Sequence, residues 1–426
     1  MHAFGSLVLR LLAVSGKFVA VLILAKEGGA RDVGAFALFY GGINILTYVI
    51  GLDFHLFAIR EALGKRTGAG QLRIVCGQAV FDFAIYGLLL FLASIPLVLG
   101  VPTIAAIPVF WLATILVSDH LAQELSRLFT ILKRPLAANI IYALKTGLWG
   151  WVGAALIQWA FIPAAASSFY ALWLSANMMA VALGFFWARR FFAGVRPSLP
   201  PRYHRWLRRG LGVSRFFYIT SVASISLGIL DRFIIAERIS LAQAGLYSFW
   251  QSITGMLPIV VYAMAGMHFL PRLVEAYRRR RFEAFAAHHR SFFWRSLILG
   301  FACGLGVVAA APFIPALLGK PEFEAPLLLV ALLAGGACLN ALWQVSYQVL
   351  YSASEDRFLA AWITGITATS VAANFLAVEW LGIMGAACVS LAANLAMYLV
   401  LRRGSWQVLE KNARRGLSPP MAQMGP

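Results

Sequence analysis

Long apolar stretches alternate with short polar gaps along nearly the whole chain. A dozen stretches fall at about 5–25, 34–57, 74–99, 103–126, 137–158, 165–188, 212–236, 243–267, 292–316, 325–350, 358–378 and 380–401. Each is long enough for the roughly 20 helical residues that cross a bilayer core. The gaps leave no room for an extramembrane domain. The longest polar stretch runs from Arg189 to Arg209 and carries Pro197, Pro200 and Pro201, which cannot continue a helix. It divides the stretches six and six. The pattern predicts an all-α polytopic membrane protein of about 12 transmembrane helices. Two six-helix bundles, 1–188 and 212–403, flank a basic linker at 189–211, and a tail follows at 404–426.

The halves echo each other. Val33-Gly34-Ala35-Phe36-Ala37-Leu38-Phe39-Tyr40 follows the first stretch, and Ala244-Gly245-Leu246-Tyr247-Ser248-Phe249-Trp250 follows the seventh, 211 positions later. A duplicated six-span unit is the expectation. Its copies run in the same direction because six is even. Parallel repeats of this kind typify transporters that rock one half against the other. Pro96, Pro108, Pro258, Pro312 and Pro315 interrupt apolar stretches. Each bends a helix where neighbours or a wet cavity satisfy the released backbone groups.

Charge adds orientation. Of 36 Lys and Arg, 28 fall in alternate gaps or the tail, including eight between Arg189 and Arg215 and seven between Arg272 and Arg295. Short cytoplasmic loops hold such residues because they resist translocation. Both termini are therefore expected in the cytoplasm, with the chain in a bacterial inner membrane. Composition agrees, at 61% hydrophobic and 12% charged. The net charge of +19 is assigned to loops facing anionic lipid rather than to nucleic acid. Cys76, Cys303, Cys338 and Cys388 lie in or beside apolar stretches with no metal or redox spacing, and read as small buried hydrophobes.

An ionisable group deep in a span costs ~2.5–3.5 kcal/mol on insertion scales, so it usually faces a cavity or a partner. Lys17 lies some twelve residues into the first stretch, about 18 Å deep. Asp82 and Lys145 are each roughly 12 Å from the cytoplasmic edge. Lys17 and Lys145 are candidates to attract an anionic substrate, with Asp82 pairing with one of them or carrying a proton. Asp119 sits deeper than the His120, Glu124 and Arg127 that follow it. Those three, spaced to share a helix face, read as an interfacial cluster. Arg60 and Arg215 stand at the cytoplasmic mouth, where an arginine can meet a phosphate. Asp231 is expected to point inward and Arg232 to snorkel outward. No catalytic residue or metal cluster is expected. Gly64-Lys65-Arg66-Thr67-Gly68 lacks P-loop spacing, and GxSxG and HExxH are missing.

Leu52-Asp53-Phe54-His55-Leu56-Phe57-Ala58-Ile59-Arg60-Glu61 resembles the N-terminal half of the Wzx-type polysaccharide flippases of the MATE-like (MOP) exporter superfamily. Leu230-Asp231-Arg232-Phe233-Ile234-Ile235-Ala236, followed by Ala244-Gly245-Leu246-Tyr247-Ser248, resembles the start of their second half. The resemblance spans nearly the whole chain. It implies two bundles around a central cavity. It also implies transfer of undecaprenyl-pyrophosphate-linked oligosaccharide to the outer leaflet for surface polysaccharide such as O-antigen. Expected partners are that lipid-linked oligosaccharide, membrane lipids and other polysaccharide assembly proteins. No cofactor is implied, and proton or sodium coupling through Asp82, Asp119 or Asp231 stays open. Two alternatives remain: an ion-coupled exporter of small molecules, and a membrane polysaccharide polymerase or glycosyltransferase.

Overall fold

The computed structural model describes residues 2–65, 67–98 and 109–417. Pro108, the start of the fourth stretch and the end of the tail lie outside the described residues. The order is α1 (His2–Ile23), α2 (Ala30–Gly51), α3 (Phe54–Leu63), α4 (Gly68–Val98), α5 (Val109–Ile131), α6 (Pro135–Ala143), α7 (Trp149–Gln158), α8 (Ala166–Phe191), α9 (Tyr203–Leu227), α10 (Leu230–Arg238), α11 (Leu241–Thr254), α12 (Met256–Val261), α13 (Met267–Arg278), α14 (Phe282–Ala310), α15 (Phe313–Leu318), α16 (Leu327–Ser352) and α17 (Asp356–Leu417). Wider π turns at Leu24–Gly28, Leu144–Leu148 and Tyr262–Gly266 interrupt this series. A helix satisfies its backbone polar groups internally, which hydrocarbon demands.

Among the described residues, nine helical stretches are long and apolar enough to cross a membrane. One of them, in α17, contains Gly382 at φ 61°, a left-handed conformation that breaks the helix. α17 thus supplies two crossings. With α1 and α5, whose lengths also suffice, the dozen stretches of the sequence are accounted for. The protein is an all-α, polytopic membrane protein. Large apolar side chains stay exposed on the helices, such as Phe110, Phe186, Ile298, Phe301 and Leu399. Cys388 is exposed and the other three cysteines are half-buried, so the expectation of buried cysteines does not hold. Small apolar side chains of this kind lie as well against lipid as against protein.

The chain divides into two compact units, Met1–Ile225 with Leu241–Gly245, and Ser226–Ser240 with Leu246–Pro426. The division falls later than the 189–211 linker. α9 begins inside that linker, at Tyr203, and its first turns pack into the first unit. Trp206 joins the buried cluster of Phe54, Phe57 and Phe81, and its Nε1 donates to Glu61 at 2.6 Å. The segment Leu241–Gly245 belongs to the first unit through glycine contacts. A Cβ on Gly34 would overlap the Leu241 carbonyl, and one on Gly245 would overlap the Ala30 carbonyl. Ala30 and Leu241 open α2 and α11 and are 211 positions apart, the same offset as Gly34 and Gly245. This reciprocal contact is what a duplicated unit produces.

The first unit has two further packing centres. Phe36, Phe39, Trp149, Phe169, Tyr170 and Trp173 form an aromatic layer between α2, α7 and α8. Leu125, Leu128, Phe129, Ile141 and Ala180 join α5, α6 and α8. The second unit is centred on Phe269, Leu273, Phe285, Phe292, Val345 and Val349 from α13, α14 and α16.

Candidate functional site

α5 organises the charges of the first unit. Its Asp119 is 4% exposed. Lys145 Nζ donates to Asp119 Oδ2 at 2.7 Å, and Trp173 Nε1 donates to Oδ1 at 3.2 Å. Lys145 sits in the π turn Leu144–Leu148, and Trp149 Nε1 donates to its carbonyl at 3.1 Å. π turns often accompany functional positions because they re-aim a side chain.

An aromatic stack links this pair to α1. Trp149 stacks on Trp173 with centroids 5.3 Å apart, and Tyr40 stacks on Trp173 at 5.3 Å. Lys17 Nζ lies 4.0 Å from the Tyr40 ring centroid, a cation–π geometry that strengthens away from water. Lys17, Tyr40, Trp173, Asp119 and Lys145 thus form one continuous track across α1, α2, α8, α5 and the π turn. α1 reaches it by glycine contacts. A Cβ on Gly16 would overlap the Gly147 carbonyl, one on Gly147 the Ala13 carbonyl, and one on Gly150 the Gly16 carbonyl. Small residues permit such backbone approach inside membranes. One and a half turns earlier on α1, Arg10 Nε donates to Asn139 at 2.8 Å.

The next face of α5 carries His120, Glu124 and Arg127. Tyr86 OH and His120 Nδ1 are 2.6 Å apart. His120 Nε2 is buried against Gly51 and lies 3.8 Å from Glu124. Glu124 accepts from both Gln78 and Arg127. Gln78, Asp82, Tyr86, Glu124 and Arg127 line a cavity of about 210 Å³ whose remaining walls are apolar. Asp82 is 5% exposed there. Two carboxylates, an amide and a phenol around one small cavity can hold a proton or a small cation. Among the described residues no group of three or more His, Cys, Asp or Glu is placed to hold a metal ion.

In the second unit, Asp231 accepts Tyr247 OH at 2.7 Å, the Arg232 backbone N–H at 2.9 Å and Gln251 Nε2 at 3.4 Å. Arg232 Nε donates to Gln251 Oε1 at 2.5 Å. The two halves of the Leu-Asp-Arg and Ala-Gly-Leu-Tyr motif therefore meet in one buried network. On α16 and α17, Trp343 Nε1 donates to Asn394 Oδ1 at 3.1 Å, and Gln344 donates to Asn340 at 2.7 Å.

Several expectations change. Lys145 pairs with Asp119; Asp82 faces the Gln78–Glu124 cavity instead, because α4 packs on the His120 face of α5. Arg232 is 8% exposed and turns inward to Gln251 rather than snorkelling outward. Glu124 and Arg127 form the expected ion pair, but as part of a partly buried cavity wall. Arg60 and Arg215 are exposed; Arg60 lies over Phe217 at 5.4 Å and Arg215 over Phe216 at 4.7 Å. Asp53 is buried at the left-handed break between α2 and α3, with φ 47°. Tyr40, Trp173 and Gln78 were not singled out by sequence. Tyr40 and Trp173 carry no charge, so no depth cost marks them.

No family model matches the chain, and no curated protein does. Solved structures do match. The inward-facing conformation of a multidrug resistance MATE family transporter of the MOP superfamily is 13% identical, covering 95% of this chain and 99% of its own, at a TM-score of 0.66. An outward-facing conformation of such a transporter is 15% identical, covering 96% of each chain, at 0.60. A mutant of the Vibrio cholerae MATE transporter VcmN is 14% identical, covering 97% and 95%, at 0.54. Likeness at this identity establishes the fold: the chain has the polytopic architecture of the MATE transporters.

Proposed function

We propose that the chain is an inner-membrane exporter that moves an anionic lipid-linked oligosaccharide, of the undecaprenyl-pyrophosphate type, from the inner to the outer leaflet. Its arginine-rich ends and both termini face the cytoplasm. The observation that carries this reading is Lys17. Its half-buried ammonium, some twelve residues into the first apolar stretch, is held on the face of Tyr40, whose ring rests on the buried Trp173. A pyrophosphate crossing hydrocarbon would otherwise pay a large desolvation penalty. A cation at that depth offsets it, while the lipid tail stays in the bilayer. Arg60 and Arg215 are exposed at the entrance, where they can receive the phosphates. The membrane potential, negative inside, favours anion export by roughly 2.3 kcal/mol per charge per 100 mV. No nucleotide site is needed.

The Lys145–Asp119 pair then has a supporting role. It fixes Trp173, which in turn fixes Tyr40 beneath Lys17. The test replaces Lys17 with Ala and follows the lipid-linked precursor in each leaflet. Precursor should accumulate on the inner side. Normal arrival at the outer leaflet would refute the anion reading.

A second reading rests on Asp82 and Glu124. Their cavity suits an exporter of small organic cations coupled to a proton or sodium. That reading predicts that Asp82→Asn abolishes cation efflux from loaded cells while Lys17→Ala leaves it intact.

A further inference from the structure

A cleft of the second unit shares no lining residue with the Asp231 network. It encloses about 700 Å³ between the first turns of α14 and the end of α17, with Ser346 of α16 at its floor. That volume falls within the ~300–1,000 Å³ of small-molecule sites. Glu283, Ala287, Arg290 and Trp294 of α14 line it at helical spacing, as do Arg402, Trp406 and Glu410 of α17. Each helix therefore turns one continuous face to the cleft.

Charge is layered along its axis. Glu283 precedes Arg290 by seven residues, so it lies about 10 Å further out on α14. Glu410 follows Arg402 by eight residues, about 12 Å further out on α17. The arginines stand where the apolar stretches 292–316 and 380–401 meet polar sequence. The carboxylates stand outside them. All four are exposed, so the two positive and two negative groups can rearrange around a guest. Arg402 gives one N–H to Tyr398 OH at 2.6 Å, which leaves four of its five donors. Phe293 and Tyr398 lie 5.5 Å from its guanidinium and hold it in place. His289 presents a buried Nε2 with no hydrogen-bond partner in the same wall.

An apolar path continues inward. Trp294, Ile298, Phe301 and Leu305 are exposed and recur every three or four residues on α14. Trp294 and Trp406 flank the cleft at 55% and 68% exposure, as tryptophans do at a membrane interface. Along α14 the order from outside to inside is carboxylate, guanidinium, tryptophan and apolar stripe; on α17 Trp406 lies between Glu410 and Arg402. That order complements one class of molecule: ammonium, phosphate, glycerol and acyl chain. Two acidic and two basic groups also balance a zwitterion.

We propose that this cleft is a binding site for a phospholipid whose headgroup bears a primary ammonium beside its phosphate. The phosphate binds Arg290 and Arg402, the ammonium binds Glu283 and Glu410, and an acyl chain follows the Trp294–Leu305 stripe. The site is independent of the cargo that the first unit handles. A choline headgroup has the same phosphate but no N–H to donate, so the two carboxylates discriminate against it.

The test is native mass spectrometry of the full-length protein in mild detergent. The protein is equilibrated with equal amounts of phosphatidylethanolamine, phosphatidylcholine and phosphatidylglycerol of identical acyl chains. The wild type should retain the ethanolamine lipid about tenfold more than the choline lipid, the scale of one to two charge-assisted hydrogen bonds. Glu283→Gln with Glu410→Gln should bring the ratio near one while total retention persists. Arg290→Gln with Arg402→Gln should lose all three lipids. Equal retention by the wild type overturns the proposal, as does preference for phosphatidylglycerol, or displacement of the bound lipid by free phosphate. The carboxamide pair alone decides the matter if the arginine variants do not fold.

Discussion

Replacing Lys145 with Met tests the central pair of the first unit. The side chain keeps its length and loses its charge. Asp119 then retains only the Trp173 N–H at 3.2 Å for a carboxylate that is 4% exposed. Removing one partner of a buried ion pair costs about 3–5 kcal/mol, most of it the cost of the charge left behind. For a folding unit of this size each kcal/mol lowers the midpoint by about 2–4 °C, so the expected fall is roughly 6–20 °C in detergent. Adding Asp119→Asn should recover most of it. The amide oxygen still accepts from Trp173, and no charge remains unpaired. The double variant should melt within about 4 °C of wild type, a coupling of roughly 2–4 kcal/mol between the two positions. Fluorescence-monitored melting of the four proteins completes the cycle. Single effects that simply add would show that the pair is not coupled and that Trp173 is held by other means.

Other expectations follow from close contacts. Gly147→Val should abolish folded yield, because its Cβ would meet the Ala13 carbonyl, whereas Gly87→Ala, with nothing within 4 Å, should be tolerated; size-exclusion profiles separate them. Tyr247→Phe should destabilise by about 1–3 kcal/mol, since Asp231 loses the hydroxyl at 2.7 Å; melting in detergent reads this. For orientation, a cysteine at Ser198, in a cysteine-free background, should react with an impermeant thiol reagent only from the cytoplasmic side. Reaction from outside would reverse the assigned topology.

Much of the architecture was legible because the bilayer imposes a length on each helix. The gaps, the break near residue 380 and the twelve stretches all come from that constraint. The linker was less legible, since Trp206 draws its second half into a helix although the prolines mark only its first half. For the site, residue counting gave depth but not azimuth. Asp82 and Lys145 share a depth, which suggested a pair, yet they face different sides of α5. A better signal was present. Asp119 and Lys145 are each thirteen residues from Leu132, at the turn joining α5 and α6. Two residues equally far from the turn of an antiparallel helix pair lie level with each other. The Tyr40–Trp173 stack had no such marker, because aromatic residues are ordinary in apolar helices.

The glycine contacts between α1 and the α6–α7 turn have a kinematic consequence. Backbone touches backbone at Gly16, Gly147 and Gly150, with no side chain between to act as a bearing. Neither sliding nor rolling is available without carbonyl collision. α1 must therefore travel as cargo of α6 and α7 in any alternating-access movement. The backbones that carry Lys17 and Lys145 are thereby locked together, whereas Tyr40 belongs to α2 and is not part of that contact.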